Sequence, residues 1–388
     1  MQRVARVPKP RAPCAPYAPL MHPKQPAHPM HLAIPTLAVV LTTALAAQQG
    51  TVSLQPANAR LAAEFSDLTS IRELRDGRVL LFDRKEERLV VADFVIGLLS
   101  NIGRTGQGPG EFQSIAALLP LGGDSTLAAD FARRWLILDG DKVVATFPPD
   151  TPAIRAVSLW PLGADRSGRV LSRGFPRGGG LTDSTLVLLV ERATGRTDTI
   201  ARLRNGVRRA PVSAITDPAL GRGVMVRRIP LNVGEAPLLL ADGWTAVVRL
   251  EPYRVDWRSP DGRWTSGAPI PVRSIRMTDG ERKAYSDRYP WSRNATDWPE
   301  FLPPFDTPTS LFATADGWLV IKRLSSASEP ETRYDLVDKS GVRRSQLILP
   351  RNEHILGFGV ASVYVIETDD DGIQRVKRHP YTAVTTLP

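Results

Sequence analysis

Six charged residues stand where short apolar runs end: Asp83, Asp130, Arg173, Arg249, Arg323 and Glu367. Three are acids and three are arginines. If the chain closes into a ring, Glu367 neighbours Asp83, so the acids form one arc and the arginines the other. A bipolar ring of this kind suits a zwitterionic or peptide-like ligand. The same residues could instead serve as salt bridges that fix packing. Asp83, Asp130 and Glu367 are also the carboxylates from which a calcium site could be built, although facing arginines would compete for them. No other cofactor is expected. One Cys excludes a Cys-rich zinc site, and His354 and His379, the two His beyond residue 47, are too few for a His-rich zinc or copper site. No Gly-x-Ser-x-Gly pattern marks a nucleophile.

Two further stretches carry side chains able to recognise a ligand. Residues 273–309 contain Tyr285, Tyr289, Trp291, Trp298, Phe301 and Phe305. Such an aromatic set can form a lid or a stacking surface for carbohydrate or peptide, or a plug with its own small core. Residues 204–236 are basic, with Arg204, Arg208, Arg209, Arg222, Arg227 and Arg228 against Asp217 and Glu235. That is either a surface for anionic polymers or a solvated face.

These residues need a scaffold, and the scaffold reads as short strands. Runs of four to eight apolar residues alternate with turn signals. Asp-Gly, which supplies the positive φ of a tight hairpin, occurs at 76–77, 139–140, 242–243, 261–262, 279–280, 316–317 and 371–372. Only 279–290 reads as helical, with Thr278 and Glu281 spaced as a capping box. The stretch Gly77–Asp83 with Arg88–Asp93 resembles Ser125–Asp130 with Arg134–Asp139, and Asp83 recurs as Asp130 at the spacing of one four-stranded propeller blade. The plan repeats through blades beginning near 157, 237, 310 and 354. The last blade lacks an outer strand, and Thr51–Ala57 is a strand without a blade. The expected fold is therefore an all-β, six-bladed propeller closed by that N-terminal strand, with a short helical insertion between blades four and five. Long outer-to-inner connectors then share a face with the loops between second and third strands, which places a site there.

The first 29 residues carry eight prolines and five basic residues but no acid, and read as a disordered leader with a start that is open to Met21. Residues 30–47 follow as a signal peptide: an apolar stretch too short to span a bilayer comfortably, ending in the small-x-small site Ala44-Leu45-Ala46. Its removal takes Cys14 and lowers the formal charge from +10 to about +5. The basic balance then gives no support for nucleic-acid binding. Residues 48–388 are left as the propeller, in a periplasmic, cell-surface or extracellular protein without a later membrane span, expected to be a monomer.

Gly103-Arg-Thr-Gly-Gln-Gly-Pro-Gly-Glu-Phe112 reads physically as a connector between blades. No Gly-Lys-Ser/Thr and no helix follows it, as a phosphate cradle would need. Gly103, Gly106, Gly108 and Gly110 let the chain turn around Pro109, Glu111 pairs with Arg104 or caps the loop, and Phe112 ends it. The decapeptide resembles the G-R-x-G-x-G-P-G-E-F signature of bacterial exported six-bladed propellers related to NHL-repeat proteins. Leu302-Pro-Pro304 and the tail Val360–Tyr381 fit the same family, and the resemblance spans roughly 60–388. It implies fold and export and assigns no catalytic residue. The functional expectation is an exported protein that binds a small molecule, peptide or protein on its loop-rich face. The alternative is a calcium-dependent hydrolase or lactonase-like enzyme at the channel mouth.

Overall fold

The computed structural model describes residues 50–130, 134–147, 157–176, 184–204, 215–217, 221–223, 229–306 and 310–381. Residues 1–47, read above as a leader and a signal peptide, and residues 382–388 lie outside them. So do parts of the basic 204–236 connector.

Six antiparallel four-stranded sheets follow one another along the chain. The first comprises Leu68–Glu73, Val79–Asp83, Arg88–Ala92 and Leu99–Asn101. The second comprises Ile115–Pro120, Ser125–Asp130, Arg134–Asp139 and Lys142–Phe147. The third comprises Val157–Ala164, Arg169–Pro176, Ser184–Glu191 and Thr197–Arg204. The fourth comprises Ala236–Leu239, Thr245–Leu250, Tyr253–Arg258 and Trp264–Ser266. The fifth comprises Leu311–Ala313, Leu319–Lys322, Glu331–Val337 and Arg343–Pro350. The sixth comprises Glu353–Phe358, Ser362–Thr368 and Gln374–Pro380, completed by Ala59–Arg60. The first strand of every sheet touches the first strands of the sheets before and after it, and the sixth touches the first. The sheets therefore close into a six-bladed β-propeller.

Strand alternation explains the core. In Val79–Asp83, Leu80 and Phe82 face blade two while Val79 and Leu81 face blade six. Each sheet is thus apolar on both faces, and its second strand reads as a continuous apolar run. Among the described residues the buried apolar side chains sort into six clusters, one for each interface between neighbouring blades. Six of the seven Asp-Gly pairs sit in turns whose glycine has φ between 56° and 95°, where a side chain would be strained.

Closure differs in detail from the expectation. Gly50–Val52 does not pair with blade six; it runs parallel to the outer strand of blade five. The closing segment lies further on, where Ala59–Arg60 pairs antiparallel with Arg378 and Lys377 and Phe65 continues the ladder to Gln374. Leu61 and Phe65, 3% and 2% exposed, anchor it in the core between blades six and one. Ala59, Leu61, Ala63 and Phe65 alternate inward with exposed residues between them, but two of the four are alanines, a weaker apolar signal than Val52 and Leu54 within 51–57.

The seventh Asp-Gly pair, Asp279-Gly280, opens the helix Asp279–Arg288, which is followed by the 3₁₀ turn Pro290–Ser292. The helix lies between Trp264–Ser266 and Leu311–Ala313. Counted from the blade that owns the closing strand, that is between the fifth and sixth blades rather than the fourth and fifth. The capping box is half formed. The Thr278 hydroxyl accepts from the Glu281 N–H at 3.3 Å. The Glu281 carboxylate turns away to accept from the Ser326 hydroxyl and, at 3.0 Å, from the Ala327 N–H on blade five.

Candidate functional site

The six charged residues stand at or near the ends of the second strands, from Arg173, three residues before the end of its strand, to Arg323, just beyond its own, and each engages the protein differently. In blade one, buried Asp83 accepts from the backbone N–H groups of Ser66 (2.7 Å), Asp67 (3.2 Å), Lys85 and Glu86. In blade two, Asp130 accepts from Gln113 N–H (2.9 Å), Ser114 N–H (3.1 Å) and the Arg134 guanidinium. Both acids thus tie down the connector entering their own blade.

Blades four, five and six use a diagonal pair across the second and third strands. Val247 faces Asp256 in the register, and Arg249, two residues on, donates to Asp256 at 2.7 Å. Ile321 faces Asp335, and Arg323 donates to Asp335 at 3.0 Å. Val365 faces Lys377, and Glu367 accepts from Lys377 at 2.8 Å, with the signs reversed. Asp256 is pushed up by burial, but hydrogen bonds from Arg254 and Arg249 outweigh this and hold it below the usual carboxylate range. Glu367 is held low by its Lys377 hydrogen bond, and Arg60 adds to this from the closing strand. Sequence reading found one end of each pair and missed Asp256, Asp335 and Lys377. The signal was present one strand further along the same repeat.

Blade three departs from this pattern. Leu171 faces Leu189, so the position diagonal to Arg173 is apolar. Arg173 is 9% exposed. It donates from Nη2 to the Glu235 carbonyl at 2.6 Å, and its buried Nε has no partner. Burial lowers its pKa, with no acid offsetting the effect. Among the described residues, no three His, Cys, Asp or Glu side chains are grouped to hold a metal ion.

The decapeptide folds on itself. Glu111 accepts from Arg104 Nε at 2.6 Å and from the Gly108 N–H at 2.7 Å. The Gly108 bond leads in holding its pKa low, with Arg104 next. Arg134 donates to the Gly106 and Gln107 carbonyls. Gly103 and Gly110 take positive φ. A Cβ on Gly106 would fall 2.1 Å from the Glu111 carboxylate, and one on Gly108 3.0 Å from it. Buried Phe112 packs edge-on against Phe82 at 6.0 Å. Pro109 lies at the turn between Gly108 and Gly110.

The four candidate lid aromatics come together around Tyr285. Its ring lies 4.7 Å from Tyr289, and it meets Trp291 and Trp298 edge-on at 6.3 and 5.6 Å. Burial pushes the Tyr285 phenol up to about 12, with the Asp306 charge adding to it. The helix carrying it has no buried residue. Two basic side chains beside Arg288 of this insertion were not singled out from the sequence. Lys322, which ends the second strand of blade five, is pushed down to about 8 by burial and then by Arg288, against Asp306. His354 on the first strand of blade six is pushed down to about 3 by burial, Lys322 and Arg288. Neither side chain hydrogen-bonds a described residue.

Beside this cap lies a cleft of about 1200 Å³. Its walls are the connectors around 229–233 and 269–304, and the second-to-third strand loops at 250–253 and 323–324. The two loop classes expected on one face thus share one cavity. Trp298 and Phe301 supply aromatic surface, and Arg204, Arg273, Glu251 and Asp297 supply charge. Arg323 lies at its edge, stacked 4.9 Å over Tyr253, with Nε bonded to the Pro304 carbonyl at 2.5 Å. Arg273 makes no hydrogen bond or ion pair with a described residue.

The chain is similar in fold to several solved structures. Regucalcin, a calcium-binding protein from Agrobacterium tumefaciens, shares 11% identity over 86% of this chain and 97% of its own, with a TM-score of 0.45. A member of the duf4221 family from Bacteroides vulgatus shares 12% over 84% and 97%, with a TM-score of 0.46. Virginiamycin B lyase from Staphylococcus aureus shares 9% over 83% and 98%, with a TM-score of 0.40. No family model and no curated protein matches the sequence.

Proposed function

We propose that this propeller is an exported binding protein whose ligand sits in the cleft between the connectors and loops of blades four and five. The cleft itself carries the reading. At about 1200 Å³ it exceeds the usual span of roughly 300–1,000 Å³ for small-molecule sites, which favours a peptide- or oligosaccharide-sized ligand. Aromatic surface from Trp298 and Phe301 beside an unpaired Arg273 fits such a ligand. Export rests on the apolar stretch 30–46 and its small-x-small end. Among the described residues no helix is long and apolar enough to cross a membrane.

The test is a panel of short peptides and oligosaccharides, screened by thermal shift against the full chain. A genuine ligand stabilises the native protein and loses that effect in Trp298→Ala and Arg273→Ala. A panel without hits, or hits indifferent to both substitutions, overturns the reading.

A further inference from the structure

Five of the six rim residues have their charge answered within the protein. Asp83 takes four backbone N–H groups. Asp130 takes two, together with Arg134. Arg249, Arg323 and Glu367 each have the diagonal partner of opposite sign. Arg173 has neither device. A cation cannot accept from the backbone of an entering connector, and the diagonal position holds Leu189 where blades four and five hold Asp256 and Asp335.

A buried guanidinium without an acid is costly, and buried charges are ordinarily paired. Here one Nη2 bond to the Glu235 carbonyl is all that the described residues provide. That carbonyl immediately precedes the first strand of blade four. Arg173 therefore stands on the connector face, at the junction of blades three and four. The Glu235 carboxylate is itself engaged by Arg249 at 2.9 Å and by the Arg204 N–H at 3.0 Å.

We propose that Arg173 is an anion-recognition residue, its Nη1 group and the Nη2 hydrogen not given to Glu235 receiving a carboxylate or phosphate oxygen pair from a ligand. The proposal goes beyond the cleft reading, because Arg173 is not among the residues that line that cleft. A planar guanidinium matches both anions bidentately, which an ammonium cannot do. The Leu at position 189 is what keeps the fork available, because an acid there would close the same diagonal pair seen in the next two blades.

The probes are inorganic phosphate and acetate, titrated into the full chain by calorimetry and thermal shift at constant ionic strength, against matched chloride. At least one of the two binds the native chain and raises its melting temperature above the chloride control; which one does identifies the anion. Arg173→Met removes the response while the protein stays folded, and Arg173→Lys, which keeps charge but loses the fork, weakens binding by about tenfold or more. Should the Met variant not fold, the Lys variant alone decides, and unchanged affinity there overturns the proposal. So does a native chain that answers neither anion, or a folded Met variant that answers as the native chain does. Trp298→Ala separates the two readings. If it keeps the anion response while the cleft screen fails, only the cleft falls; if the anion response is absent while the cleft screen succeeds, only the role of Arg173 falls.

Discussion

Arg323 and Asp335 meet across the diagonal of blade five, Nη1 to Oδ2 at 3.0 Å, and Asp335 is fully buried. Asp335 also accepts from Tyr253 Oη at 2.9 Å, Gln346 Nε2 at 2.7 Å and Arg343 Nη1 at 3.3 Å. Tyr253 belongs to blade four, so one carboxylate stitches two blades together. Its phenol is pushed well above its ordinary value, by burial first and the Asp335 charge second. Asp335→Ala strands two guanidinium groups and a phenol, and is expected to lower unfolding free energy by about 3–5 kcal/mol. Denaturant unfolding measures this. A loss under about 1 kcal/mol would show that the knot is not what fastens these blades.

The decapeptide gives a second expectation. A Cβ at Gly106 collides with the carboxylate of Glu111, which is itself held by the Gly108 N–H and Arg104. Gly106→Ala must therefore displace Glu111 and release both bonds, which lowers the denaturant midpoint. In a Glu111→Ala background most of that cost is already incurred. The double-mutant cycle should be strongly non-additive. Additive costs would mean that the loop needs Gly106 for some reason other than room for Glu111.

The contrast between blades shows what was legible in the sequence. Blade count, connector lengths and the rim positions could be read because the second strands are mostly apolar runs and six of the turns carry Asp-Gly. The charge partners could not, since Asp256, Asp335 and Lys377 look like ordinary surface residues until strand register sets them diagonal to Arg249, Arg323 and Glu367. Closure was half legible. An unpaired N-terminal segment was plain, but the inward row Ala59, Leu61, Ala63 and Phe65 is only weakly apolar where alanine stands. The gathering of Tyr289, Trp291 and Trp298 around Tyr285 depends on how a short helix turns into a 3₁₀ turn, and composition says nothing about that.

Lys322 and His354 give the stability a definite pH dependence. Lys322 has a folded value of about 8 against 10.5 for the ordinary side chain. Between those values the unfolded chain holds more protons, so stability rises with pH across that window. His354 has a folded value of about 3 against 6.5. The unfolded state again holds more protons there, so stability falls as pH drops from 6.5 towards 3. Lys322→Met should flatten the alkaline rise and stabilise the protein at pH 7 by roughly 1–3 kcal/mol, because a poorly solvated charge is removed. An alkaline slope that survives the substitution assigns it to another group.

The cap helix should come loose before the propeller does. Asp279–Arg288 buries no residue fully, so its attachment to blade five rests heavily on Glu281, which receives the Ser326 hydroxyl and the Ala327 N–H. Glu281→Ala removes both bonds and leaves the Thr278 cap in place. The helix can then persist locally while losing its hold on the blade. The expected result is faster amide exchange across 279–292 and quicker tryptic cleavage at the exposed Arg282, Lys283 and Arg288, with global unfolding shifted by no more than about 1 kcal/mol. Retained protection would place the anchorage in the aromatic cluster around Tyr285 rather than in Glu281. Tyr285→Ala, which removes the hub of that cluster, is then the variant that should release the helix.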